Sequence, residues 1–162
     1  MVNGEPPPSQ GMAGVFPSIQ GKNLNKVAKT VPDDFITQHL IAIVAFQQWH
    51  QQNVDETIEF LEKNALDERF EIIEIPVIQK TTRFREFRLD ALMRAAIRDQ
   101  RIRNRTITVY LDKKAFMTSL DIERDSSIHW FVIHRHTNTI LLRGEGVITS
   151  NDLERIAETP EA

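Results

Sequence analysis

The clearest candidate for a chemical site follows the longest apolar run of the chain, residues 40–46. That run leads through Trp49 into the stretch 50–53, His-Gln-Gln-Asn, and then into a helix that opens with Asp55 and Glu56. The positive end of a helix stabilises a thiolate, so a Cys-x-x-Cys at such a helix start supports disulfide exchange. The chain of 162 residues contains no cysteine. It therefore has no residue for disulfide exchange or for peroxidatic attack.

Trp49 and His50 are the side chains that remain at this position. In a functional interpretation they line a residual cleft for a peptide or small molecule, with Trp49 stacking and His50 polar. In a structural interpretation Trp49 packs over the helix start and His50 is a solvent-exposed neighbour of the helix cap. We favour the structural interpretation, because one aromatic residue and one histidine form no catalytic set by themselves.

A basic block lies in the middle of the chain. Residues 80–105 hold nine basic and three acidic side chains, so this segment carries a charge of +6 while the whole chain carries −3. On a continuous helix, four arginines of the block would form one stripe: Arg94, Arg98, Arg101 and Arg105. Such a stripe could bind an acidic protein, anionic lipid headgroups or nucleic acid, or it could be a solvated helix face. Nucleic acid is the least expected partner, because no interleaved aromatic residues or groove-reading motif are present.

His134 and His136 are two residues apart and would face the same side of a strand, which is compatible with shared metal ligation. No carboxylate or third histidine is nearby in sequence, so we prefer a surface hairpin. The serines have no nucleophile context, and the glycines at 144 and 146 have no phosphate-loop pattern. We therefore expect no metal, cofactor or nucleotide, and assign no catalytic residue.

Strands and helices alternate along the chain in the predicted structure. The order predicts an α/β fold with a mixed central sheet, helices on both faces, a C-terminal antiparallel hairpin and a closing helix. Pro76 is expected to end the second strand or to mark a sheet edge. The predicted elements are an irregular or hairpin entry segment at 16–36, strands at 40–46, 70–78 and 106–111, helices at 54–64 (capped by Asn53), 84–104 and 113–120, a hairpin at 127–134 and 139–143, and a helix at 151–158 capped by Ser150.

The composition is that of one globular domain. Hydrophobic residues are 41% and charged residues 27% of the chain, which is typical of soluble proteins. The longest apolar run is well short of a membrane span, and we expect no secretory signal at the N-terminus. Residues 1–15 are rich in proline, glycine and small polar side chains, which predicts a disordered tail before a single domain at 16–162.

Several short segments share their type and order with one superfamily. They are Phe16-Pro17, Gly21-Lys22-Asn23-Leu24, the run 40–46 with Trp49, residues 128–134 with Asn138-Thr139-Ile140 and Gly144, and the helix start at 149–153. Together they resemble the thioredoxin-like superfamily in its peroxiredoxin-related branch. The chain departs from that pattern by lacking the motif cysteines and by carrying Ile128 near the cis-proline position. With its basic helix inserted between the second and third strands, it is similar to the mitochondrial assembly factors that chaperone the membrane subunit of the ATP synthase Fo sector.

The resemblance implies a redox-inactive binding protein that acts as a chaperone or assembly factor of a membrane complex such as ATP synthase Fo. Its partner would be a protein client, and peripheral contact with an anionic membrane surface is compatible with the basic block. We expect a soluble protein, cytoplasmic or on the matrix side of the mitochondrial inner membrane. The expected partner-binding residues are Arg94, Arg98, Arg101, Arg105, Trp49 and His50.

Two alternatives remain open from the sequence. One is an enzyme of non-thiol chemistry that reuses the vacated cleft, with His50 or His129 as acid or base. The other is a degenerate subunit that stabilises an oligomer. An enzyme needs a concave pocket with convergent polar groups, whereas a docking protein needs a broad exposed patch.

Overall fold

The computed structural model describes residues 14–160, in which strands and helices alternate. In chain order the elements are β1 (Ile19–Asn23), β2 (Ala28–Val31), β3 (His39–Ala45), α1 (Gln51–Lys63), β4 (Glu71–Gln79), α2 (Arg83–Ala96), α3 (Gln100–Arg105), β5 (Ile107–Leu111), α4 (Lys113–Ser119), β6 (His129–His134), β7 (Ile140–Glu145) and α5 (Ser150–Ala157).

The strands form one seven-stranded mixed sheet in the order β2-β1-β5-β4-β3-β6-β7. β3, β4 and β5 run parallel to one another, and the remaining neighbours pair antiparallel. The C-terminal β6–β7 hairpin and the closing helix α5 are in the predicted places. The predicted α/β fold is therefore confirmed, and the entry segment extends the sheet by the β1–β2 hairpin.

The central strand β3 is buried on both faces because helices cover the sheet on each side. Alternate residues of a strand point to opposite faces. On one face Ile41 and Ile43 pack with α1 and α5, and on the other Leu40, Ala42 and Val44 pack with α4 and with the segment before β1. This double burial explains why the strand has an unbroken apolar sequence.

Glycine allows two close approaches within the sheet. A side chain at Gly21 in β1 would collide with the carbonyl oxygen of Thr108 in β5. A side chain at Gly144 in β7 would collide with the indole ring of Trp130, which is fully buried on β6. The second strand of the hairpin, predicted to end at residue 143, continues through Gly144 to Glu145, because a glycine leaves room for that ring.

Pro76 does not end the second predicted strand. β4 continues through it to Gln79, pairing with β3 up to Pro76 and with β5 from Val77 onward. β4 has a neighbour on each side around the proline, since Glu74 also bridges to Thr106 just before β5, so Pro76 marks neither a strand end nor a sheet edge.

Two predicted helix caps are shifted. A 3-10 turn at Gln48–His50 precedes α1, so Asn53 is inside the helix and is not its cap. The side chain of Thr149, not Ser150, caps α5 by accepting a hydrogen bond from the backbone N–H of Asp152 at 3.2 Å.

The predicted single helix over residues 84–104 is wrong, because the structure has two helices separated by residues 97–99. Ile97 is extended, with φ −111° and ψ 105°. The carboxylate of Asp99 accepts from the backbone N–H of Arg101 at 2.8 Å and so starts α3. The guanidinium of Arg103 donates to the carbonyl oxygens of Ile97 and Arg94 at 2.5 and 2.6 Å, which closes the end of α2.

Residues 1–13 of the predicted tail lie outside the described residues. Gly14 and Val15 contact the sheet: the carbonyl oxygen of Gly14 accepts from the N–H of Ile140 at 2.9 Å, and Val15 forms a bridge with Thr139. Within residues 14–160, no helix has both the length and the apolar character needed to cross a bilayer.

Candidate functional site

The C-terminal ends of the parallel strands meet at one edge of the sheet, which is where open α/β sheets place their sites. Trp49 follows β3 at this edge, the start of α2 follows β4, and Lys113 follows β5. His129 at the start of the antiparallel strand β6 lies at the same edge, since its register partner is Val44 near the end of β3.

His50 is fully buried and works as part of the backbone architecture. Its Nδ1 accepts hydrogen bonds from the backbone N–H groups of Phe46 and Gln47 at 3.0 and 3.2 Å. The ring proton of the neutral imidazole therefore resides on Nε2. Burial lowers the pKa of His50, so the ring is neutral at pH 7.

The preferred structural interpretation expected Trp49 to be packed over the helix start and His50 to be exposed to solvent. The structure shows the reverse. Trp49 is 61% exposed, whereas His50 is 0% exposed. The two rings meet edge to face with centroids 4.3 Å apart. The chain turns this way because the imidazole, and not the indole, offers an acceptor for the backbone N–H groups before the helix.

A small ion-pair cluster closes the same edge. The Nζ of Lys113 lies 2.7 Å from Oδ2 of Asp125, and Nε2 of Gln47 donates to the same oxygen at 2.9 Å. Lys113 Nζ also lies 3.4 Å from the carbonyl oxygen of Phe46. The hydrogen bond from Lys113 lowers the pKa of Asp125, so this carboxylate is ionised at neutral pH.

His129 is the second buried histidine at this edge, 7% exposed and edge to face with Phe46 at 6.1 Å. Its Nε2 has no hydrogen-bond partner within residues 14–160. Burial lowers the pKa of His129 as well, so it is also neutral at pH 7. The peptide bond before Ile128, near the position that the resemblance assigns to a cis-proline, is trans.

Glu74 is a buried acidic residue that the sequence interpretation missed. It lies on β4 with an exposed fraction of 1%, and its Oε1 accepts from Nε2 of Gln51 at 3.2 Å. Its Oε2 has no hydrogen-bond partner in the described part of the chain. Burial raises the pKa of Glu74, and the charge of Arg105 opposes that rise. The available signal was one acid between two isoleucines on a doubly buried strand.

The four arginines of the predicted stripe are divided between different environments. The Nε of Arg94 donates to a backbone carbonyl oxygen of the β1–β2 turn at 3.2 Å. Arg101 and Arg105 both contact Oε2 of Glu62 at 3.1 Å, with side chains 66% and 15% exposed. Arg98 is exposed between the two helices. One continuous stripe does not form, because the helix breaks at 97–99, and partner binding by these residues stays a prediction.

The predicted partner-binding residues also lie at opposite ends of the sheet. Trp49 and His50 follow the C-terminal end of β3, whereas Arg98, Arg101 and Arg105 precede the N-terminal end of the parallel strand β5. Helix α2 connects the two ends. With 14 residues it is about 21 Å long.

Helix α2 exposes its apolar side chains, and none of its residues is buried. Phe84, Phe87 and Leu92 are 68%, 65% and 64% exposed. The carboxylates of Glu86 and Asp90 instead line a groove of about 460 Å³ between α2 and the β1–β2 hairpin. A helix over a sheet normally has the reverse arrangement, with its apolar side inward.

Tyr110 of β5 holds α2 in this orientation. Its hydroxyl donates to Oδ1 of Asp90 at 2.7 Å and lies 3.1 Å from the carbonyl oxygen of Glu86. Burial and then the hydrogen bond to Asp90 raise the pKa of Tyr110, so the hydroxyl keeps its proton and remains a donor. The sequence predicted the helix and its apolar residues, but it could not show which side this hydroxyl would attract.

His134 and His136 lie close together, with ring centroids 6.0 Å apart, and the β3–β6 register adds His39 at 5.2 Å from His134. The third histidine therefore comes from a strand that is distant in sequence. Burial is the main cause that lowers the pKa of His39. No group of three or more histidine or acidic side chains within residues 14–160 has a geometry that could hold a metal ion.

No known family model matches this chain, and no curated protein sequence matches it. Solved structures do match. The thioredoxin domain of a thiol-disulfide oxidoreductase from Bacteroides vulgatus has a TM-score of 0.53 at 16% identity, covering 91% of this chain and 95% of that chain. A DsbF homologue from Corynebacterium diphtheriae has a TM-score of 0.54 at 18% identity, covering 91% and 86%. A member of the Sco family of cytochrome c oxidase assembly proteins has a TM-score of 0.55 at 7% identity, covering 89% and 90%.

These similarities define the fold class: the protein has a thioredoxin-like fold. Their sequence identities are low, so they establish the fold alone. Within that class this chain carries no cysteine, and the position at the start of α1 is occupied by the buried His50.

Proposed function

We propose that this protein is a non-catalytic binding protein that acts as a chaperone or assembly factor of a membrane complex. The observation that carries the proposal is α2, which exposes Phe84, Phe87 and Leu92 while its carboxylates line an inner groove. Exposed apolar area is unfavourable in water, and a partner that covers it recovers that free energy. A surface of this kind suits a protein that docks on another component.

Further exposed side chains lie at the two ends of the sheet that α2 connects. Trp49 lies at the sheet edge where α2 begins, and Arg98 and Arg101 follow the end of α2. We call the outward side of α2 together with these three residues the docking face. Exposed aromatic residues and arginines are the side chains that most often anchor protein interfaces.

The residue at the start of α1, where a thiol would otherwise act, supports a binding role. His50 is turned inward, and its Nδ1 is already engaged by two backbone N–H groups. No cysteine exists to replace it in that chemistry. A fold without its usual nucleophile retains its surface as the means of acting on other molecules.

The alternative of a non-thiol enzyme needs an acid or base that a substrate can reach. His50 and His129 are 0% and 7% exposed, and the grooves of about 460 and 470 Å³ are lined by neither. These observations favour the binding role.

The resemblance to assembly factors of ATP synthase Fo supplies the finer part of the proposal, a membrane-complex subunit as client. The Sco-family structure is of a protein named for assembly of another membrane complex, cytochrome c oxidase. The thioredoxin-like fold is therefore compatible with assembly work, and the exposed apolar side chains of α2 suit a protein that works on a complex within a membrane.

The test is co-purification from detergent-solubilised membranes of the native source. Tagged wild type is compared with Trp49→Ser/Arg98→Glu, which changes one exposed side chain at each end of the docking face. The matched control is Val15→Ser/Lys114→Glu, because these are also an exposed apolar and an exposed basic residue, and neither belongs to α2 or to the docking face. We expect a subunit of a membrane complex, with ATP synthase Fo as the first candidate, to co-purify with wild type and control and to be lost with the docking-face variant.

A further inference from the structure

We infer that the outward side of α2 binds the anionic surface of a lipid bilayer, with the helix parallel to the membrane plane. This inference rests on the proposed function: it names the lipid surface that α2, one part of the docking face, contacts. Trp49, Arg98 and Arg101 at its two ends remain for the client.

The apolar side chains of α2 match those of helices that lie in the membrane interface. Phe84, Phe87 and Leu92 are each more than half exposed. Interfacial helices bury such an apolar face at the boundary between headgroups and acyl chains. Phenylalanine and leucine supply most of the apolar area that such burial removes from water.

The charges around these side chains select an anionic surface. Arg85 and Arg88 are exposed on the outward side, and the Arg88 guanidinium carbon lies 5.9 Å from the centroid of the Phe84 ring. The two acids of α2, Glu86 and Asp90, line the inner groove, so the outward side carries positive charge without a carboxylate. Long arginine side chains can reach lipid phosphates while the apolar residues are buried below them.

The shape of this surface favours a bilayer over a peptide. The groove of about 460 Å³ includes only Glu86 and Asp90 from α2, and the groove of about 470 Å³ includes no residue of α2. Phe84, Phe87 and Leu92 line neither of these two grooves and project from the surface as a ridge, whereas peptide helices and strands are recognised in grooves or at sheet edges. A ridge fits a planar and deformable interface.

A second copy of this chain is a poorer occupant. Two outward sides facing each other would bring Arg85 and Arg88 of one copy against the same arginines of the other. Like charges in apposition oppose association. A bilayer with anionic headgroups has the complementary charge.

The test is co-sedimentation of the full chain with phosphatidylcholine vesicles, with and without phosphatidylglycerol, in the absence of any other protein. We expect binding to the phosphatidylglycerol vesicles that weakens as salt is raised. Arg85→Glu/Arg88→Glu should weaken the partition of the protein onto these vesicles by at least about fivefold per site, because each substitution removes a positive charge and adds a negative one. Phe84→Ser/Leu92→Ser should weaken it by at least about tenfold through lost apolar burial. The control Val15→Ser/Lys114→Glu should bind like wild type.

All substituted residues are exposed, and circular dichroism confirms that each variant is folded before it is compared. The inference is overturned if anionic vesicles do not bind, or if α2 variants bind as well as the control. It is also overturned if the α2 variants instead abolish self-association, or abolish binding of an acidic apolar peptide, with no vesicle binding. Client co-purification tests the proposed function separately. It compares wild type with a variant at Trp49 and Arg98, and it is carried out in detergent, without a bilayer.

Discussion

His50 shows how one side chain can replace chemistry with architecture. It lies at the start of α1, where a thiol would be activated, and uses its ring nitrogen to hold the backbone N–H groups of Phe46 and Gln47. The sequence predicted the place of this residue from the apolar strand and acidic helix around it. It could not predict that the imidazole is buried and the neighbouring Trp49 exposed, because that depends on which ring finds a backbone partner.

Replacing His50 with alanine removes the acceptor of two backbone N–H groups and leaves a cavity. We expect His50→Ala to lower the free energy of unfolding by roughly 2–4 kcal/mol, measured by urea denaturation. Trp49→Ala is the matched control, because Trp49 is 61% exposed, and it should change stability by less than about 1 kcal/mol. Equal losses from both variants would contradict the buried capping role of His50.

The buried neutral histidines make stability depend on pH. Burial lowers the pKa values of His39, His50 and His129 in the folded protein. The unfolded chain takes up protons near the ordinary histidine pKa of about 6.5, so the free energy of unfolding falls as pH drops below about 6.5. His129→Gln removes one of these groups and should give a shallower fall between pH of about 6.5 and 5. Urea denaturation at several pH values measures how steeply the free energy of unfolding falls with pH in wild type and in the variant. Equal slopes for the two proteins would show that His129 is not held neutral.

At the scale of elements, the predicted strands were close to those observed because each has a distinct apolar run. The long basic helix was the main error. Its periodicity continues from residue 84 to 104, but Asp99 starts a new helix and Arg103 closes the previous one through side-chain contacts. Such contacts are not visible in helical spacing. The outward orientation of α2 was equally hidden, since it depends on Tyr110 from another strand.

Tyr110→Phe tests what holds α2 against the sheet. The variant loses the hydroxyl that donates to Asp90 at 2.7 Å. A hydrogen bond to a charged carboxylate contributes about 1.5 kcal/mol, so amide exchange in α2 should become about tenfold faster. Amides of α1 are the internal control and should exchange as in wild type. Unchanged exchange in α2 would mean that the tyrosine is not its main attachment.

At the scale of the whole molecule, the protein consists of a doubly covered sheet and the proposed docking face beside it. The sheet is stabilised by two apolar layers around β3 and carries no thiol. The sequence sufficed to predict this fold and the absence of thiol chemistry. The sequence analysis grouped Trp49 and the arginines as one set of partner-binding residues. The parallel strands instead place them at opposite ends of the sheet, with α2 between them.

The central claim is that this molecule acts by docking on a client in a membrane complex. The most direct test is the amount of client subunit that co-purifies per molecule of tagged protein. We predict near-equal amounts for wild type and for Val15→Ser/Lys114→Glu, and at least about a tenfold loss for Trp49→Ser/Arg98→Glu, since interface anchors contribute about 2 kcal/mol or more. The account is contradicted if no membrane-complex subunit is enriched with wild type, or if the docking-face variant, still folded, retains as much of it as the control.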